Sequence, residues 1–175
     1  MAFLSVQTDA ALPAPGDRAA DSLDFRLFRP HLFFYRPWTG SGEMQAPNGK
    51  RIAGFTVRGE GRASSRLGRI VQHWSFDNGI EHTTEWKVLS TDGDDYRAVD
   101  TVNGTVARGR QIGEAFLWVL KVKGPTPFGH RTIRVSTVYR LVSPGVAEAR
   151  ATSTVFGVIP VGRMVATYRR LDGEA

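Results

Sequence analysis

From Trp38 onward, apolar and polar residues alternate in short runs separated by turn residues. In the clearest run, Ile70, Gln72, Trp74 and Phe76 share one face and the residues between them share the other. A period of two residues is typical of a β-strand with one buried face. After the strand that Trp38 opens, the predicted strands are Lys50–Glu60, Leu67–Asp77, Ile80–Leu89, Tyr96–Val102, Thr105–Arg108, Ile112–Lys123, Arg131–Val142, Val146–Val158 and Val161–Leu171.

Tight turns are expected between these runs. Asn78-Gly79 and Asn103-Gly104 are the strongest hairpin signals, because Asn and Gly tolerate the positive φ that such turns require. About ten strands with short connections, and no helix of three turns, predict an all-β antiparallel meander closed as a barrel or a sandwich. A barrel of this strand number can hold a small ligand inside.

The N-terminal part has a different pattern. Residues 6–22 are rich in Ala, Pro, Asp and Gly and lack periodicity, so we expect a flexible leader over 1–22 and a barrel domain over 23–175. The segment Leu23–Arg36 is rich in aromatic residues and is interrupted by Pro30. Proline disfavours one long helix here, and we expect a short plug whose aromatic rings fill one end of the core.

Composition narrows the possible chemistry. The 175 residues include no cysteine, which excludes disulfides, thiolate metal sites and cysteine nucleophiles. A membrane helix needs about 20 apolar residues, and the longest apolar run, Ala115–Leu120, is far shorter. The first residues carry no basic residue ahead of an apolar stretch, which is not typical of a secretory signal. We therefore expect a cytoplasmic protein without a membrane span.

The net charge is +6, and residues 25–175 hold 22 basic against 13 acidic residues. A basic face can attract nucleic acid or anionic lipid. Because the basic residues form no compact block, an Arg-rich solvated surface is the preferred interpretation, with no specific nucleic-acid partner. The oligomeric state stays open.

Candidate metal and nucleophile motifs are weak. His73 and His82 flank the Asn78-Gly79 turn, but a metal would need further ligands, so we interpret both as solvated histidines. No Gly-x-Ser-x-Gly motif occurs. The sequence predicts no metal site and no cofactor.

Large aromatic side chains fall in the predicted strands: Trp74, Phe76, Trp86, Phe116 and Trp118. They are either barrel core or the wall of an apolar ligand pocket. The sequence favours neither reading over the other.

Four polar residues share strand phase with apolar neighbours: Gln72, Asp100, Glu114 and Arg150. If the aromatic residues point inward, these residues are expected to point inward too. A lone buried charge is costly, so we expect Arg150 to pair with Glu114 or Asp100. The set is then a structural network, a polar floor for a ligand head group, or, in another register, a row of solvated residues.

The order of glycines and aromatic residues resembles an uncharacterised bacterial family, domain of unknown function 3833. The segments that carry the resemblance are Gly42–Phe55, Trp74–Trp86, Asp100–Trp118 and Arg150–Gly157. It extends from about Leu23 to Arg170. Gln72 stands where the family pattern has Glu, whereas Asp100 and Arg150 match the residues of the family pattern. The resemblance implies a lipocalin/calycin-like up-and-down barrel and implies no reaction.

Binding of a small hydrophobic or amphipathic molecule, fatty-acyl or isoprenoid-like, is the leading functional hypothesis. Gln72, Asp100, Glu114, Arg150 and the five aromatic residues above are its candidate ligand-binding residues. The alternative is a cofactor-free isomerase, cyclase or hydratase with Asp100 or Glu114 as acid/base, because an apolar cavity raises a carboxyl pKa. A haem-binding barrel is a third hypothesis, and it would need His73, His82 or His130 to face a slot.

Overall fold

The computed structural model describes residues 27–64, 67–90 and 94–171. These residues form one short helix, α1 (Pro30–Phe34), and ten strands. The strands are β1 (Trp38–Gln45), β2 (Arg51–Ser64), β3 (Leu67–Phe76), β4 (Glu81–Ser90), β5 (Asp95–Asp100), β6 (Val106–Ile112), β7 (Ala115–Thr126), β8 (Gly129–Ser143), β9 (Val146–Val155) and β10 (Ile159–Arg170). The predicted leader, 1–22, lies outside the described residues.

The strands close into an antiparallel up-and-down barrel in which each pairs with its sequence neighbours. Strand β1 closes it: Trp38 lies opposite Gly59 of β2 and opposite Arg170 of β10. Closure leaves no strand edge unpaired. The prediction of an all-β antiparallel barrel of about ten strands is confirmed.

Alternate turns lie at opposite ends of the barrel. The turns β1/β2, β3/β4, β5/β6, β7/β8 and β9/β10 surround one end, called here the open end. The chain enters at the other, closed end, where α1 packs. Helix α1 begins at Pro30, as the fixed φ of proline allows at a first helical position. No helix among the described residues is long and apolar enough to cross a membrane.

The aromatic plug at the closed end is buried in the core. Phe28, Phe33 and Phe34 are 0%, 3% and 7% exposed. Phe34 packs edge-on against Trp38 at 5.1 Å between ring centroids, and Phe28 stacks on Tyr139 at the same distance. Burial of each phenyl ring contributes roughly 1.5–3 kcal/mol to stability. The expected plug segment is therefore part of the core in its described portion.

One turn differs from the sequence-based expectation and matters for the site. The predicted strand Ile112–Lys123 is in fact Ala115–Thr126 (β7), because Gly113 and Glu114 form the turn that joins it to β6. Gly113 has a φ of 57°, a left-handed conformation that glycine adopts without a steric penalty. The Gly-Glu pair lacks the Asn or Pro that marks most turns, so alternation alone did not reveal it.

Candidate functional site

The open half of the barrel is lined by inward-facing apolar side chains that are only partly buried. They pack against the core and retain accessible surface. Strand alternation directs them inward, so that surface lies on the inner side of the sheet. We call this set the cup, and its members are Met44, Trp74, Phe76, Trp118, Leu120 and Met164.

Aromatic contacts fix the walls of the cup. Trp118 packs edge-on against Trp86 at 6.0 Å, and Trp74 lies 5.1 Å from the ring of Phe55. Phe116 and Trp86 are buried, at 2% and 9% exposure. Of the five candidate aromatics, Phe116 and Trp86 therefore belong to the core, whereas the other three line the cup.

Gln72 is a polar, partly buried side chain of the cup wall. Its Oε1 accepts a hydrogen bond from Thr84 Oγ1 at 2.9 Å and another from Trp86 Nε1 at 3.3 Å. Its amide nitrogen donates to none of the described residues, and the side chain is only partly buried. The amide nitrogen therefore offers free N–H donors beside apolar walls.

Thr84 was not anticipated as a member of this network. It is 8% exposed and lies directly opposite Gln72 across the β3–β4 hairpin. A two-residue Asn78-Gly79 turn would pair residue 72 with residue 85. The observed turn spans residues 77–79 and shifts the register by one residue, so the sequence did not identify Thr84 as the partner.

Asp100 is buried, as expected, but its carboxylate holds a turn. Oδ1 accepts the backbone N–H groups of Glu85 and Val102, each at 3.1 Å. Oδ2 accepts the Asn103 side-chain amide at 2.6 Å. These bonds occupy both oxygens and fasten the β5/β6 turn at the open end. The geometry gives Asp100 a structural role.

The prediction that Arg150 points inward is wrong. Ala147, Ala149 and Ala151 are the buried residues of β9, so Arg150 lies on the outer face. Its side chain is 77% exposed, and its Nη2 lies 4.0 Å from Glu148 Oε2. Phe156, the aromatic residue six positions after Arg150, belongs to the β9/β10 turn and therefore gives no guide to the phase of β9.

The predicted pairing of Arg150 with Glu114 or Asp100 is wrong for the same reasons. Glu114 is exposed in the β6/β7 turn at the closed end, and Asp100 ends β5 at the open end. The three charged groups thus lie on an outer face and at opposite ends of the barrel. They form neither an acid/base pair nor a polar floor.

Two tyrosine hydroxyls are buried in the closed half. Tyr139 and Tyr168 hydrogen-bond to each other, and their rings lie 5.8 Å apart. Desolvation by burial raises the pKa of both phenols well above the ordinary value of 10, because the charged form is disfavoured away from water. Both phenols are therefore neutral at physiological pH.

The candidate haem ligands do not face the cup floor. His73 lies on the outer face, and its Nδ1 is 3.1 Å from Thr83 Oγ1. In the β3–β4 register His73 lies opposite Thr83, and His82 lies opposite Trp74. His82 and His130 are exposed at the open ends of β4 and β8. No described group of three or more acidic or histidine side chains is arranged to hold a metal ion.

Comparison with solved structures supports the barrel fold. The S-type phycobiliprotein lyase CPES from Guillardia theta matches with a TM-score of 0.59 and 9% identity, over 87% of this chain and 98% of that one. Rv2717c from M. tuberculosis matches with a TM-score of 0.56 and 13% identity, over 90% of this chain and 98% of that one. Likeness at such low identity concerns the fold alone.

Comparison with curated proteins gave no match. The family model described as "Protein of unknown function (DUF3833)" matches residues 19–170, which is most of the chain and close to the extent expected from the sequence pattern. The chain therefore belongs to the DUF3833 family.

Proposed function

We propose that this protein binds a small, mostly apolar molecule with one polar group in the open half of its barrel. The observation that carries the proposal is the cup: six inward-facing apolar side chains retain accessible surface. Apolar surface inside a closed sheet has no folding partner left to cover it. A bound apolar molecule would bury it, at roughly 25 cal/mol per Å² removed from water.

Gln72 is the proposed anchor for the polar group of the ligand. Its amide oxygen is held by Thr84 and Trp86, which orients the amide nitrogen for an acceptor. A carboxylate, carbonyl or hydroxyl oxygen of the ligand fits that donor. A fatty-acyl or isoprenoid compound with an oxygen at one end meets both requirements. A neutral amide also avoids the cost of an unpaired buried charge.

Quenching of tryptophan fluorescence by dibrominated stearic acid tests this proposal. Bromine quenches a tryptophan only at contact, and Trp74 and Trp118 lie in the cup, whereas Trp38 is 1% exposed in the closed half. We expect saturable quenching at one ligand per chain, and no quenching by unbrominated stearic acid. Trp74→Phe and Trp118→Phe should each reduce the quenched fraction.

Trp38→Phe is the matched control, because that ring packs in the plug. In this variant, the decrease in fluorescence caused by the brominated acid should equal the decrease in the unmodified chain. Trp86 packs against Trp118 and bonds Gln72, so some quenching can remain in the double variant of Trp74 and Trp118. Quenching that never saturates, or that is as large in this double variant as in the unmodified chain, would place the fatty acid elsewhere and refute the proposal.

A further inference from the structure

The exposed aromatic side chains among the described residues lie side by side at the open end. Phe128, in the β7/β8 turn, is 45% exposed, and Phe156, in the β9/β10 turn, is 64% exposed. Their ring centroids are 6.1 Å apart. Val158, 78% exposed, and Ile159 extend the same surface. We call these four residues the apolar tip.

Phe156 occupies this position against its backbone preference. Its φ of 52° is the one positive value at a non-glycine residue in the described chain. That conformation favours Gly, Asn or Asp and is an outlier for a bulky residue. The ring does not recover the cost by burial in the barrel. An exposed aromatic held at a backbone cost points to a partner outside the chain.

Positive charge lies beside the apolar tip. A groove of ≈ 440 Å³ beside it is lined by Lys121, Arg131 and Arg134, together with Thr132, Thr154 and Phe156. Residues 115–147 contain no Asp or Glu, and no ion pair with a described carboxylate neutralises these three cations. Lys121 and Arg134 even lie directly opposite each other in neighbouring strands, an arrangement that like-charge repulsion disfavours.

We propose that the open end of the barrel docks on an anionic lipid bilayer. The apolar tip would enter the headgroup–acyl boundary, and the groove would hold a lipid phosphate between its guanidinium, ammonium and hydroxyl groups. Exposed aromatic and aliphatic side chains beside a basic surface match the chemistry of an anionic bilayer surface. A nucleic acid would use the cations but would leave Val158 and Ile159 without a partner.

This inference deepens the proposed function, because the cup opens at the same end as the apolar tip. Docking would place the mouth of the barrel against the lipid from which an apolar ligand is taken or to which it is delivered. Docking itself needs no ligand, so its test is independent of the quenching experiment.

Co-sedimentation with vesicles tests the docking. We expect the full chain to bind vesicles of equal parts phosphatidylglycerol and phosphatidylcholine, to bind pure phosphatidylcholine weakly, and to release as NaCl is raised. Phe156→Asn suits the left-handed backbone, so the fold should be retained while vesicle partitioning falls about tenfold. Ile112→Asn is the control, since Ile112 is 54% exposed at the closed end.

A charge-reversed pair tests the groove. Lys121→Glu with Arg134→Glu should weaken anionic-vesicle binding by about fivefold or more for each cation removed. Arg97→Glu with Arg108→Glu is the matched control, because these two exposed residues are also opposite each other, but in β5 and β6. Equal loss in both pairs would show a response to net charge alone and would overturn the proposal.

Two further results would also overturn it. One is binding to pure phosphatidylcholine as strong as to the anionic vesicles. The other is tight binding of a single-stranded oligonucleotide with no vesicle binding, which would identify the basic surface as a polyanion site. If the unmodified chain shows saturable fatty-acid quenching but no binding to anionic vesicles, the docking proposal is refuted and the ligand-binding proposal is not.

Discussion

The indole Nε1 of Trp86 donates to the amide oxygen of Gln72 at 3.3 Å, across the β3–β4 hairpin. Thr84 Oγ1 donates to the same oxygen. The bonds join a buried tryptophan to the one polar side chain that sequence phase correctly placed on the cup wall. They orient Gln72 so that its nitrogen is left for a ligand.

Replacement of Gln72 by leucine tests that role. We expect Gln72→Leu to fold and to lose about 1–3 kcal/mol of stability, because the Thr84 and Trp86 donors lose their acceptor. Affinity for dibrominated stearic acid should fall as well. Gln111→Leu is the control, since Gln111 bonds the Gly113 and Ala115 carbonyls at the closed end. An unchanged affinity in Gln72→Leu would show that Gln72 does not bind the polar group of the ligand.

The plug predicts a contrast between two residues of one short helix. Phe34 is 7% exposed and Leu32 is 49% exposed. Phe34→Ala should lower the free energy of unfolding by about 3–5 kcal/mol through the cavity that it leaves. Leu32→Ala should change it by about 0.5 kcal/mol or less. Urea denaturation measures both, and similar small losses would show that the plug is not part of the core.

Glycine at position 59 makes room for the tryptophan that begins β1. A methyl group on Gly59 would overlap the ring of Trp38, which is 1% exposed. Gly59→Ala should therefore cost about 1–3 kcal/mol through overpacking. At Gly162 the nearest atom to an added methyl would be 3.6 Å away, so Gly162→Ala should be tolerated. Thermal melts of the two variants should differ clearly, and equal melts would contradict the packing.

The tyrosines predict an unusual alkaline titration. The chain has four, and burial raises the pKa of each of them above 10. A raised pKa contributes stability that is complete below pH 10 and is lost as pH rises toward the folded-state pKa, since the unfolded phenols ionise first. Phenolate absorbance should stay low at pH 10 and rise together with unfolding. A step at pH 10 in the folded protein would contradict this burial.

Sequence patterning was sufficient where strands are regular. The Asn78-Gly79 signal correctly predicts the β3–β4 hairpin, and the run from Ile70 to Phe76 keeps one phase throughout. The inward side of Gln72 and Trp74 follows from that phase. The ten alternating runs predict an antiparallel meander, and the family resemblance implies its closure as a barrel. The resemblance to DUF3833 agrees with the family match over residues 19–170.

The alternation of apolar and polar residues predicted the wrong position or face for residues near a turn. Glu114 was assigned to a strand, although the positive φ of Gly113 places it in a turn. The predicted inward face of Arg150 is wrong because the turn at Phe156 ends the alternation of β9. Burial of Asp100 was anticipated, but its turn-holding role depends on hydrogen bonds to Glu85 and Asn103, which residue type and spacing do not reveal.

The methionines offer the most direct measurement of the central claim, that an apolar ligand occupies the cup. Met44 and Met164 lie opposite each other in β1 and β10, and both line the cup. We would record the methyl resonances of ¹³C-methyl-methionine-labelled protein during addition of stearic acid, with assignments from Met44→Leu and Met164→Leu. If the ligand occupies the cup, we expect both signals to shift and to reach saturation at one ligand per chain. Signals from Met44 and Met164 that stay in place while the fatty acid binds would contradict that claim.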